Sequence, residues 1–174
     1  MSQQATTADN EFLQRSIGTR GFGSNANITN KLIFVSHDPV PELNAKGGRT
    51  VPTPWKAVFA GKVTSDWCNP FGTMHGGCAA WLTDELTCSA VEFLSTPDWW
   101  GMPTPGGVSL NIDTTYYYAV PNGANLRIVV TIDRISGTLA NVQAEFTDAD
   151  SGLVYVIGKH IIAWRAAKKK SAKL

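Results

Sequence analysis

The sequence predicts an α+β domain in which an antiparallel sheet wraps around one long central helix. Three observations lead there. From Gly76 to about Leu94, the residues Ala79, Leu82, Leu86, Ala90 and Phe93 recur at helical spacing and supply one apolar stripe. Four strand-like runs follow, VSLNIDTTYYYAV, NLRIVVTIDRI, LANVQAEFTDA and LVYVIGKHIIAW, separated by the short turn segments PNGA, SGT and DSG. One helix cannot cover both faces of such a sheet. The economical arrangement is a sheet curled around the helix, with its remaining apolar surface covered by another subunit.

Taken in chain order, the elements support that reading. DNEFLQRSI predicts a short helix capped by Asp9 or Asn10, and NKLIFVSH a strand. DPVPELNAKGGRTVPTP is a loop punctuated by Pro and Gly, and WKAVFAGKVT is a second strand. The central helix comes next and is broken by STPDWWGMPTPGG. The four remaining strands are then expected to form a meander through hairpin turns. This divides the chain into an N-terminal extension (1–50), one domain (51–165) and a basic tail (166–174). At 174 residues it is long enough for one cored domain and short for two.

Composition excludes several classes of function. Hydrophobic residues make up 43% and charged residues 17%, ordinary for a globular protein, and a net charge of +1 gives no global attraction to nucleic acid or membrane. MSQQATTADNEFLQRS lacks the basic start and apolar run of a secretory signal, and no run approaches a membrane span. Cys68, Cys78 and Cys88 are odd in number and form no CxxC pattern, so a soluble, intracellular, reducing setting is expected. His37, His75 and His160 are too scattered in sequence to suggest zinc ligation, and Cys68 has no evident activating partner. His37 and His160 are expected to sit in strands for structural reasons.

The chemistry concentrates in CNPFGTMHGGCAAWLTDELTCSA, Cys68 to Ala90. A helix N-terminus presents unpaired N–H groups and a partial positive charge, and Gly76 and Gly77 let a substrate come close to that backbone. Asn69 offers a side-chain amide nearby, and together these groups could polarise a carbonyl. Asp84, mid-helix and off the apolar stripe, is a candidate general base for activating water. Eight helical residues separate Gly76 from Asp84 by ~12 Å along the axis. Oxyanion donors and base must each lie within ~3 Å of the reacting atoms. One helix therefore cannot serve one substrate with both. Two antiparallel copies across a two-fold axis can, which gives two composite sites per dimer.

NPFGTMHGGCAAWLTD resembles the signature of hot-dog-fold acyl-CoA thioesterases of the phenylacetate (PaaI-like) and thioesterase-superfamily class. The likeness extends through PGGVSLNIDTTYYYAVP and the closing strands, about Trp55 to Trp164. It implies hydrolysis of acyl-CoA to the free acid and CoA, with no metal or organic cofactor, by homodimers that commonly pair into tetramers. By the resemblance, Asn69 and the backbone N–H of Gly76 hold the thioester carbonyl. His75 orients the loop and the sulfur side. Asp84 of the opposite subunit activates water or attacks directly, and Ser109 positions that water. Two alternatives stay open, a thioesterase of a specialised biosynthetic pathway acting on CoA or a carrier protein, and a non-catalytic acyl-CoA binding module. The intact Asp84 argues against the second. The aromatic STPDWWGMPTPGG segment and the first fifty residues exceed the family core. Arg134, Lys159 and Arg165 are considered for the CoA phosphates without being assigned. The ending Ala172-Lys173-Leu174 is a variant of the Ser-Lys-Leu peroxisomal address, so an import receptor is an expected partner and the peroxisome the expected location, otherwise the cytoplasm.

Overall fold

A computed structural model of the chain describes residues 1–17 and 32–166. The candidate address at Ala172-Lys173-Leu174 lies outside the described residues. Seven strands form one antiparallel sheet, β1 (Gln3–Gln4), β2 (Leu32–His37), β3 (Trp55–Lys62), β4 (Val108–Tyr116), β5 (Asn125–Ile135), β6 (Leu139–Asp148) and β7 (Val154–Ala163). Among the described residues two α-helices accompany them, α1 (Thr7–Ser16) and α2 (Gly76–Phe93), with one 3-10 turn at Ser65–Trp67. No helix among the described residues is long and apolar enough to cross a membrane.

α2 starts and ends where the sequence predicts, and its stripe is the core of the fold. Ala79, Leu82, Leu86 and Ala90 are all fully buried against inward residues of the sheet, among them Phe59, Ile128, Val130, Ala144 and Phe146. Thr83 and Thr87 share that buried face, and each returns its hydroxyl proton to a carbonyl of the preceding turn. Phe93 closes the stripe in an aromatic cluster with Phe12, Phe34, His37 and Trp55. Phe12 belongs to α1, whose Leu13 is also fully buried, so the N-terminal residues share this core. The cap of α1 differs from expectation. Thr6 is the N-cap, and Asp9 sits at the third helical position of a reciprocal capping box, so Asp9 and Asn10 are both inside the helix.

The strand order is β1-β2-β3-β5-β6-β7-β4, which corrects the expected four-stranded meander. Of those four strands, β5, β6 and β7 follow one another as hairpins, whereas β4 pairs with β7 at the far edge and β5 pairs with β3. Residues 121–124 do make a turn, with Ala124 N–H donating to Pro121 C=O at 3.2 Å, but not between neighbouring strands. After Tyr116 the chain leaves the sheet edge and runs past the start of α2. There Met74 N–H donates to Val120 C=O at 2.8 Å, Asn122 N–H to Gly72 C=O at 3.0 Å, and Gly123 N–H to Val63 C=O at 2.9 Å. This connection ties the loop before α2 to both flanking strands. It also leaves β4 with one long edge that no described strand pairs.

Candidate active site

The loop before α2 closes on itself. Asn69 Oδ1 accepts the N–H groups of Phe71 at 2.9 Å and Thr73 at 3.3 Å, while Nδ2 donates to Thr73 Oγ1 at 2.9 Å. Only one Nδ2 hydrogen is used among the described residues. His75 is the N-cap of α2, its Nδ1 accepting the Gly77 N–H at 2.9 Å. The adjacent Gly76 N–H finds no acceptor among the described residues. The Tyr116 hydroxyl donates to the Gly76 carbonyl at 2.8 Å and so fixes that residue. A free, oriented amide at a helix N-terminus favours a negatively charged oxygen. Beside it lies a cleft lined by Met74, Ala79, Tyr116, Val120 and Val156.

Asp84 lies two turns along α2, its side chain 36% exposed. Its Oδ1 gathers three neighbours. Ser109 Oγ donates at 2.8 Å, His160 Nε2 lies at 3.6 Å, and the Cys88 thiol is 3.9 Å away. Ser109 reaches Asp84 because β4 carries a bulge. Seven residues separate Ser109 from Tyr116, so in a regular strand their side chains would leave opposite faces. The register shift between Ser109 and Asn111 absorbs one residue, and both then bond to groups of α2.

Three ionisable neighbours are displaced from their ordinary behaviour. Burial, reinforced by Asp84 and Glu85, pushes the Cys88 thiol far up, so Cys88 is a neutral thiol rather than a nucleophilic thiolate. Burial pushes His160 down, partly opposed by Asp84, which favours a neutral imidazole. Glu85 is pushed up to about 7 by burial, then by Asp84 and Glu92.

Sequence reasoning missed His160, Thr87 and Tyr116. His160 does sit in a strand, but it faces α2 and touches the candidate base, with Thr87 Oγ1 2.5 Å from its Nδ1. The available signal was parity, since His160 shares the inward face of β7 with Val156, Gly158 and Ile162. Lys159 has the opposite parity and lines an outer groove with Asp113 and Asp133. Within one chain the site residues form two groups. Asn69, His75 and Gly76 cluster at the Tyr116 end of β4, while Asp84 and Ser109 sit at the Ser109 end. Gly76 and Asp84 lie eight residues apart on α2, ~12 Å along its axis, so the two groups do not meet inside one subunit.

Residues 71–155 match the thioesterase superfamily, a span that includes His75, Gly76, Asp84 and Ser109. Acyl-coenzyme A thioesterase 13 of Homo sapiens is 30% identical over 107 residues, covering 62% of this chain and 71% of that protein. Among solved structures, zebrafish thioesterase superfamily member 2 superposes with a TM-score of 0.65 at 21% identity, over 88% of this chain and 94% of that one. A Streptococcus pneumoniae thioesterase protein solved with coenzyme A gives 0.56 at 16% identity, over 78% and 90%. At these identities the structural likeness speaks to fold, and the fold is the hot-dog arrangement.

Proposed function

The chain belongs to the thioesterase superfamily, and from that premise we propose that it hydrolyses acyl-CoA thioesters at composite sites formed between two copies. One observation carries the composite site, the edge of β4 that no strand among the described residues pairs. The nine residues Val108–Tyr116 present backbone donors and acceptors along one side, with Val108 and Leu110 exposed on them. Such an edge is a template for another strand. Antiparallel pairing of β4 with its own copy, centred on Asp113 and with the bulge taking up one residue on each strand, sets Ser109 opposite Tyr116 of the partner subunit. Asp84 hangs on Ser109 and Gly76 on Tyr116. The pairing therefore brings each Asp84 toward Gly76 of the partner subunit and doubles the site by symmetry.

At such a site the Gly76 N–H and the free Nδ2 hydrogen of Asn69 hold the thioester oxygen and take up the charge that develops on it. His75 keeps the loop in shape by capping α2. Asp84 of the other subunit withdraws a proton from water as it attacks the carbonyl carbon, with Ser109 orienting the carboxylate. The coenzyme thiolate leaves and is protonated, and the free acid remains. The acyl group lies along the cleft between Met74 and Val156. The human relative named for acyl-CoA and the coenzyme A in the streptococcal protein support this substrate class.

Subunit mixing tests it. Asp84→Asn removes the base. Gly76→Pro removes one N–H at the first helical position, where proline is well tolerated, and His75 already has the extended backbone that proline requires before it. Each variant alone should lose ~10²-fold or more in kcat. Refolded together at equal amounts, half the dimers are mixed and carry one intact site, so about a quarter of wild-type activity returns. No recovery on mixing overturns the composite site. For Ala172-Lys173-Leu174 we propose a receptor-read peroxisomal address where those residues carry the free carboxylate. Residues appended after Leu174 should then abolish import of a fluorescent fusion, and unchanged import rejects it.

A further inference from the structure

We propose that Asp84, Cys88 and His160 form a binding site for a divalent cation of the zinc class, and that the bound cation silences hydrolysis. Asp84 and Cys88 stand four residues apart on one face of α2, and His160 reaches them from β7. One ligand atom from each residue lies within 4.8 Å of the other two, and around Asp84 Oδ1 stand His160 Nε2 at 3.6 Å and Cys88 Sγ at 3.9 Å.

The hydrogen bonds around His160 decide what its Nε2 offers. The single proton of Thr87 Oγ1 is shared between the carbonyls of Thr83 at 2.7 Å and Asp84 at 3.1 Å. Its 2.5 Å contact with His160 Nδ1 therefore has the imidazole donating and the hydroxyl accepting. A neutral histidine with its proton on Nδ1 turns a bare lone pair out at Nε2. That atom is buried, has no hydrogen-bond partner among the described residues, and faces the Asp84 carboxylate at 3.6 Å. Two acceptors looking at each other across a buried gap call for a positive centre between them. Thr87 also supplies what a metal-bound imidazole ordinarily has, a partner for its other ring nitrogen that fixes tautomer and plane.

The donor set and spacing select the cation. Tetrahedral zinc with bonds of ~2.0 Å to nitrogen and oxygen and ~2.3 Å to sulfur sets its ligand atoms about 3.3–3.6 Å apart. The 3.6 Å from Nε2 to Oδ1 and 3.9 Å from Sγ to Oδ1 need shifts of a few tenths of an ångström, and rotation of the Cys88 side chain closes the widest pair. One imidazole, one thiolate and one carboxylate suit zinc or cobalt and are wrong for magnesium or calcium, which want oxygen alone. On coordination the thiol proton leaves to solvent, and the fourth position stays open beside the exposed part of Asp84. The cation takes the carboxylate lone pair that would otherwise accept a proton from water. Binding stands on the geometry alone; inhibition also rests on Asp84 being the base.

Cobalt(II) titration of the chelator-treated, full-length wild-type protein tests the site. Saturation at one ion per chain is expected, with strong visible bands of a four-coordinate centre, a near-ultraviolet thiolate-to-cobalt band, and loss of both when zinc is added. Cys88→Ser should abolish the thiolate band, and His160→Gln should weaken binding at least tenfold. A wild-type protein without these bands overturns the site whatever the variants do, and so does a thiolate band that survives Cys88→Ser. Under the same loading, zinc should suppress thioester hydrolysis and chelator should restore it. Tight binding with undiminished turnover keeps the site and sinks the assignment of Asp84 as base.

Discussion

Replacing Glu85 by Gln tests the electrostatics of the exposed side of α2. The wild-type carboxyl is partly buried, with Asp84 next to it and Glu92 two turns on, and these move its pKa from 4.5 to about 7, against a hydrogen bond with Trp81 that works the other way. The folded state thus holds this proton more tightly than the unfolded chain does. The stabilising contribution is complete below the unfolded value of 4.5 and is lost as pH rises through about 7. Moving from 4.5 to about 7 corresponds to ~3.4 kcal/mol at 1.36 kcal/mol per pH unit. Solvent screening at a group that stays partly exposed reduces this to ~1–2 kcal/mol. A Gln at this position is neutral throughout. Glu85→Gln should match the wild type near pH 4.5 and exceed it by ~1–2 kcal/mol at pH 8, read as a higher urea midpoint at unchanged m-value. A variant with no advantage at pH 8, or with the same advantage at both pH values, refutes the reasoning.

Two further substitutions probe the seam between α2 and the sheet. Ser109→Ala removes the 2.8 Å hydrogen bond to Asp84 Oδ1, a charge-assisted contact. It should lower kcat ~10-fold with KM little changed, the equivalent of ~1.4 kcal/mol, and an unchanged kcat would remove Ser109 from the proposed site. Gly158→Ala should destabilise the fold by ~1–3 kcal/mol through overpacking. The added Cβ would sit 2.9 Å from Thr83 Cβ and closer still to its Oγ1 and Cγ2, so adding Thr83→Ala should recover part of the loss in a thermal melt. No recovery would mean that the close approach of helix and sheet is not the cause.

What the sequence made legible follows from which interactions are local. The bounds of α2 and the existence of the six longer strands rest on periodicity and turn chemistry, which a single segment carries. The partner of β4 depends on where a connection across the start of α2 finally lands, and PNGA reads the same whether the turn joins neighbours or not. The cap of α1 was displaced for a related reason, because Thr6, Asp9 and Asn10 are all competent caps and only their mutual hydrogen bonds choose among them. His160 stayed hidden because it lies 76 positions from Asp84, and only the fold brings the two together.

The bulge in β4 shows how closely fold and proposed site are joined. Plain alternation through VSLNIDTTY would put Leu110 on the same face as Ile112 and Thr114, with Ser109 turned away from α2. One extra residue reverses this without altering the composition of the strand, so no pattern in the sequence announces it. The Ser109 end then steadies Asp84 and the Tyr116 end steadies Gly76, both from a single strand at the edge of the sheet. In the proposed dimer the pairing of that strand with its copy sets the distance between base and oxyanion donor. A slip of two residues would displace Asp84 from Gly76 of the partner subunit by ~6.6 Å. Reactive geometry tolerates about 1 Å, so the register of one sheet edge and the competence of the site are a single variable.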